Sequence, residues 1–111
     1  MDTRKLKVVV SDQYTVDLKN VLQYGLETFG YTGALVFYDN IEKLVANLEY
    51  EYFMYPECRF LATKSKIYRN IILESYLIIY RIAAARIEVL RVFHSSVCTS
   101  TRVGSVRKIK I

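Results

Sequence analysis

Tryptophan is absent from these 111 residues, histidine and proline occur once each, as His94 and Pro56, and there are two cysteines. Each shortage excludes something. Cys58 and Cys98 are too few for a disulfide framework and have no metal-type spacing, so they read as ordinary thiols. One histidine does not supply a zinc site of the usual kind, and no metal is expected. No run approaches 18 uncharged apolar residues, and the first ten residues, carrying Arg4, Lys5 and Lys7, lack the long apolar segment of a signal peptide. The expectation is therefore a cytoplasmic protein with no membrane association. Internal repeats and low-complexity tracts are also missing.

What is present is apolar and tyrosine-rich. Apolar residues make up 52% of the chain, and ten tyrosines suggest amphipathic contacts at the edge of a core. That composition belongs to a folded domain. A chain of 13.0 kDa implies one domain, residues 1–111, near the size at which folding buries about two-thirds of the chain's surface.

Charge is distributed unevenly. Up to Cys58 there are five cations against nine carboxylates, a net of −4; from Arg59 onward eleven cations face Glu74 and Glu88 alone, a net of +9. The second half therefore favours an acidic partner, nucleic acid or an acidic polypeptide. The plainer alternative is that these Lys and Arg residues guard solvated strand edges against aggregation.

Along the chain, Leu6, Val8 and Val10 alternate with Lys5, Lys7 and Ser11 in the period of a half-buried strand. Ser11 or Asp12 is positioned to cap a helix whose apolar face is Tyr14, Leu18, Val21, Leu22, Gly25 and Phe29, and Gly30 ends it. A second helix starts near Thr32, with Ala34, Phe37, Ile41, Leu44, Leu48 and Tyr52 along one face, and Pro56 closes it near Tyr55. The short connection requires an antiparallel hairpin, whose apolar faces need a sheet to cover.

Three apolar runs supply that sheet: Tyr68 to Leu73, Tyr76 to Ile82 and Ile87 to Phe93, rich in Ile, Val and Tyr. Their short breaks, Glu74-Ser75 and Ala83 to Arg86, predict an antiparallel meander. Cys58 to Ile67 reads as an irregular lead-in. Residues 95–111 read as a polar, then basic tail: Ser95 to Ser105 is expected to be mobile, and Val106 to Ile111 is an edge strand or a basic arm. The fold class is α+β, with two helices on one face of a four-stranded sheet.

In that order the residues resemble the RelE/ParE superfamily of type II toxin–antitoxin toxins, and ParE more closely than RelE. The resemblance spans Val8 to His94 and rests on Asp17-Leu18, Tyr24 and Phe29-Gly30 in the first helix. The second helix adds the spacing of Ala34, Tyr38, Ile41, Leu44 and Leu48. The most specific parts are the strands Tyr76-Leu77-Ile78-Ile79-Tyr80-Arg81-Ile82 and Ile87-Glu88-Val89-Leu90-Arg91-Val92-Phe93-His94. Ala83 to Ala85 and Ser95-Ser96 depart from the family's usual turn and post-histidine residues.

The resemblance implies a bacterial toxin, of the plasmid-stabilisation kind, that is neutralised by a cognate antitoxin and needs no cofactor. Its ParE-like form inhibits DNA gyrase; its RelE-like form cleaves messenger RNA on the ribosome. RNA cleavage needs a base, an acid and cations over the phosphate. Carried over by position, the cation after the tyrosine that begins the third strand is Leu77 here, and one of two lysines on the preceding strand is Ile71, leaving Arg69. Losing one such donor costs about 3 kcal/mol.

Gyrase inhibition is therefore ranked first, messenger-RNA cleavage second, and an inactive or RNA-binding member third. His94 is the candidate catalytic residue if the chain is a nuclease; otherwise it satisfies a backbone group at a strand end. Lys64, Lys66, Arg69, Arg81, Arg91, Arg107, Lys108 and Lys110 are the candidates for binding the target or the antitoxin. For Arg81 the alternative is bracing the sheet through a carboxylate, and for Arg91 it is a solvated strand position.

Overall fold

The structure, a computed structural model, describes residues 4–111. Strand β1 (Lys7–Val10) leads through Ser11 into a helical segment α1 (Asp12–Glu51), and the meander follows as β2 (Tyr68–Leu73), β3 (Tyr76–Ile82) and β4 (Arg86–His94). The segment α1 is not one rod. Forty residues of straight helix would measure about 60 Å, whereas the longest dimension of the fold is 41 Å. Gly30, at φ 81° and ψ 178°, breaks the helix in a conformation that is essentially confined to glycine, and the chain turns back on itself there. The two arms approach closely: a Cβ on Gly25 would lie 3.7 Å from that of Ala34. The expected hairpin is thus present, although its second arm stops at Glu51, before Pro56.

Ser11 begins α1 as predicted, because its hydroxyl oxygen accepts the Tyr14 N–H at 2.9 Å. The same hydroxyl donates to Leu90 O at 2.6 Å, pinning the helix start to the sheet.

The sheet order is β1-β4-β3-β2. The meander is antiparallel, while β1 pairs in parallel with β4, so the sheet is mixed. Both hairpins lack an Asn-Gly turn. In the first, Glu74 itself adopts φ 55°; in the second, Ala83 N–H donates to Arg86 O at 3.0 Å across the alanines.

One face of the sheet packs on α1. Leu6, Ile71, Ile78, Tyr80, Ile87, Val89 and Val92 meet Tyr14, Ile41, Leu48 and Tyr52 there. Two tyrosines keep their hydroxyls paired inside this core, as their amphipathic chemistry demands: Tyr80 donates to Tyr52 O and Tyr52 to Arg4 O, each at 2.7 Å.

The other face departs from expectation. It is covered by Ser95 to Ser105, expected to be mobile, and by the start of Val106 to Ile111, expected to be an edge strand or a basic arm; they form instead a 3-10 turn at Ser95–Val97, a short helix α2 (Ser100–Gly104) and a further 3-10 turn at Ser105–Lys108. Val103 and Val106 are fully buried, packed with Cys58, Leu61, Tyr68, Ile79, Leu90 and Phe93. Isolated valines in a polar stretch have no periodicity to announce them, yet they complete a second core. Thr99 caps α2 by accepting the Arg102 N–H at 3.1 Å.

The lead-in before β2 is also structured. Cys58 N–H donates to Tyr68 O and Asn70 N–H to Pro56 O, so this segment covers part of the outer edge of β2. Pro56 serves the sheet edge rather than the end of the helix.

Candidate functional site

At the end of β4, His94 lies opposite Tyr76, their rings edge-to-face at 5.2 Å. His94 Nδ1 accepts the backbone N–H of Ser96 at 3.1 Å, with the Ser96 hydroxyl 2.7 Å from the same nitrogen. A backbone N–H can only donate, so the neutral ring carries its proton on Nε2. The ring thus satisfies a backbone group at the strand end, the structural role weighed above. An open groove of about 470 Å³ lies beside it, walled by Asp17, Asn20, Tyr24, Tyr76, Arg91 and Arg102 among others.

A bulge shapes this groove. Ile79 pairs with Arg91 and Tyr80 with Val89, which leaves Leu90 as the extra residue of β4. Beyond the bulge β1 has ended, and the exposed edge of β4 is closed by Asp17 from α1. Arg91 Nε and Nη2 donate to its two oxygens at 2.6 and 2.9 Å, and Val92 N–H donates to Oδ2 at 3.0 Å. Arg91 is thus held in a two-point ion pair, with its guanidinium 4.6 Å from the Phe93 ring centre. Replacing Asp17 by alanine orphans both the guanidinium and the amide, and the expected result is a loss of about 2 kcal/mol in a urea unfolding curve. An unchanged midpoint would show that this pair contributes nothing.

A second groove adjoins the His94 groove. Between the arms of α1 and the β2–β3 turn lies an apolar groove of about 270 Å³, lined by Leu22, Gly25, Phe29, Ala34, Val36 and Phe37. Val21, Tyr24 and Tyr76 wall both grooves, so the two lie side by side on one surface. The apolar end opens on side chains that a lone chain leaves in water: Phe29 is 72% exposed and Tyr31 71%, with Leu26 and Val36 also exposed. Such a patch at a hairpin tip marks an interaction surface.

The remaining candidate residues gather at the opposite end of the sheet. Tyr68 pairs with Arg81 there, whereas His94 pairs with Tyr76, five residues and roughly 17 Å away along β3. Arg81 is spent internally: it donates to Glu88 at 2.7 Å, to the Tyr68 hydroxyl at 3.3 Å and to Ile109 O at 2.9 Å. Arg86 donates to the other oxygen of Glu88 and to Ile111 O. Burial alone would raise the Glu88 carboxyl; the hydrogen bonds and charges of Arg81 and Arg86 outweigh it and hold the group below its ordinary value.

Arg69 donates to the carbonyls of Lys66, Phe53 and Tyr55, and Arg107 lies 5.5 Å from the Tyr68 ring centre and donates to Ala62 O. Lys64, Lys66, Arg107, Lys108 and Lys110 are exposed.

The two positions at which the RelE-like resemblance calls for cations are thus apolar and packed. Ile71 is buried in the helix-side core and Leu77 packs against the second core, and the arginines that share the His94 groove are Arg91, already paired, and Arg102. Among the described residues no three or more His, Cys, Asp and Glu side chains are gathered as metal ligands, and no helix is long and apolar enough to cross a membrane. Sequence reasoning missed Asn20 and Arg102 as groove residues. Asp17, Tyr24 and Tyr76 did carry a signal, as parts of the motifs quoted above, but without a role.

Residues 8–97 match the family model described as the ParE toxin of type II toxin–antitoxin system, parDE. The chain belongs to the ParE toxin family. Among solved structures, the fold is similar to a chain in the chromosomal ParDE toxin–antitoxin system from P. aeruginosa, at 17% identity and a TM-score of 0.67, covering 81% of this chain and 96% of that one. No curated protein matches the chain. The ParE match takes in α1, the sheet from Val8 onward and the His94 groove except Arg102, and it stops at Val97. The residues that seal the second sheet face, Val103 and Val106, lie beyond the matched ParE segment.

Proposed function

We propose that this ParE-family toxin inhibits DNA gyrase in the bacterial cytoplasm and is neutralised by an antitoxin segment lying in the adjoining grooves between the α1 hairpin and His94. The observation that carries the antitoxin site is that the apolar groove and the His94 groove adjoin, sharing Val21, Tyr24 and Tyr76 as walls. An amphipathic segment would place its apolar face against Phe29 and Phe37 and its carboxylates at Arg102 and the Nε2–H of His94. The sequence leads one to expect such a segment on both the helix hairpin and the basic sheet; the chain's own C-terminal residues occupy the sheet face opposite α1, so the hairpin side is the one proposed here.

Gyrase is preferred over messenger RNA because the groove lacks the cations that RNA cleavage demands at the positions of Leu77 and Ile71. Loss of an unstable antitoxin would then release the toxin, which accounts for a role in plasmid stabilisation.

The test is a supercoiling assay with purified gyrase, run beside a messenger-cleavage assay on translating ribosomes. The expected outcome is inhibition in the first, relieved by the antitoxin, and silence in the second, with His94→Ala leaving inhibition nearly intact. Cleavage that His94→Ala abolishes would replace this reading with the nuclease. Normal growth on expression, together with silence in both assays, would make the chain an inactive member.

A further inference from the structure

At the end of the sheet away from His94, two separate stretches of the chain bring their cations together: Lys64 and Lys66 in the loop before β2, and Arg107, Lys108 and Lys110 in the C-terminal residues. Three contacts join the stretches. Arg107 donates to Ala62 O at 3.4 Å, Arg81 donates to Ile109 O at 2.9 Å, and the guanidiniums of Arg81 and Arg107 lie 5.7 and 5.5 Å from the centre of the Tyr68 ring, two residues after Lys66. All five cations are exposed, and among the described residues none of them is in an ion pair. The carboxylates at this end are engaged elsewhere: Glu88 takes Arg81 and Arg86, and Glu57 accepts the Thr63 N–H at 3.1 Å.

One of the five sits on a backbone that disfavours it. Lys66 has φ 54°, the left-handed region in which glycine or asparagine is the ordinary occupant. The loop imposes that conformation, because Thr63 O accepts the Lys66 N–H at 3.2 Å and the Thr63 hydroxyl accepts the Ile67 N–H at 3.2 Å. An exposed lysine contributes no packing that would explain the strain, whereas a lysine kept for an anionic ligand does explain it.

The surroundings select the kind of anion. Neither groove described above reaches this end, so an amphipathic acidic peptide would find no cleft there for its apolar face. A single-stranded nucleic acid would need open rings on which to stack its bases. Tyr68 is 6% exposed, and Phe53, at the margin, already has Arg69 at 5.4 Å and the Tyr52 ring at 4.7 Å. A duplex carries its charges on the outside and asks for neither cleft nor ring. We propose that this face binds the phosphate backbone of double-stranded DNA without reading its sequence. The choice of DNA over duplex RNA rests on the gyrase reading above; the contact itself goes beyond it, because it lies at the end of the sheet opposite the His94 groove and leaves the proposed antitoxin site open.

The experiment titrates the full chain into a fluorescent DNA duplex of about 20 base pairs, in several sequences, between about 50 and 200 mM salt. Each phosphate neutralised contributes about −0.9 to the slope of log affinity against log salt, so the expected slope is about −3 to −5, the same for every sequence. Lys66→Gly should flatten the slope by about 0.9 and weaken binding about five- to tenfold. It should nevertheless melt at or above the temperature of the unsubstituted chain, because glycine accepts the left-handed backbone. Lys64→Gln should flatten the slope equally, and Lys19→Gln, an exposed cation on α1, should leave it unchanged. Absence of duplex binding at the lowest salt overturns the proposal, as do slopes that Lys66→Gly and Lys64→Gln leave intact, an equal loss in Lys19→Gln, or a lowered melting temperature of Lys66→Gly. Tighter binding to the single strand, to duplex RNA, to polyglutamate or to phosphatidylglycerol vesicles overturns it as well and gives the face to that ligand. Duplex binding as expected from a chain that leaves gyrase supercoiling untouched would sink the gyrase reading alone.

Discussion

Replacing Glu88 by alanine is expected to lower the unfolding free energy by about 3 kcal/mol, because it leaves the half-buried Arg81 without its counter-charge. Glu88 is 6% exposed and receives Arg81 on one oxygen and Arg86 on the other. Both arginines also hold carbonyls of the last residues, Ile109 and Ile111, so the loss spreads from the sheet to its cover. Protonation tests the same cluster. The Glu88 carboxyl titrates below its ordinary value of 4.5 in the folded chain. A depressed folded value means that the contribution is fully present above the unfolded value and is lost as the pH falls through the folded one. Urea unfolding at neutral and acid pH should therefore show a stability loss in acid that Glu88→Gln reduces. If Glu88→Ala unfolds at the same urea concentration as the unsubstituted chain, the ion cluster stabilises nothing.

Val106→Asp should be comparably damaging. Val106 is fully buried in the second core, and a carboxylate placed there has no described cation to pair with inside it, so a loss of about 3 kcal/mol or more follows. A second readout comes from Cys58, which sits in the same cluster at 1% exposure and whose thiol burial pushes upward, making it doubly unreactive. In Val106→Asp this thiol should react with a disulfide reagent in the absence of denaturant, while in the unsubstituted chain it should not. Lys108→Ala, at an exposed position two residues on, serves as the control and should shift stability by less than about 0.5 kcal/mol. Equal thiol reactivity in all three would mean that residues 95–111 do not seal the sheet.

Much of this architecture was legible beforehand. The three late strands occur where their Ile, Val and Tyr runs begin and end, and Gly30 breaks α1 where the apolar stripe of its first arm runs out. Periodicity carries that information because each element has one repeating contact surface. It fails for Val103 and Val106, whose burial depends on a sheet face built from residues far away in sequence. Charge is similarly opaque. Counting cations predicted an open basic surface, but Arg91 is paired with Asp17, 74 positions earlier, and Arg81 with Glu88, seven positions later. The groove beside His94 draws on α1, β3, β4 and α2. No local pattern in the chain encodes that convergence.

Because β1 joins β4, and not a strand close to it in the chain, the first strand waits for the last. Val10 meets Val89 across more than two-thirds of the polypeptide, a separation that makes the closing of the sheet slow and entropically demanding. At roughly 5–20 residues added per second, a ribosome needs several seconds to extend the chain from one to the other. A nascent chain therefore cannot acquire its finished shape while its later strands are still inside the exit tunnel.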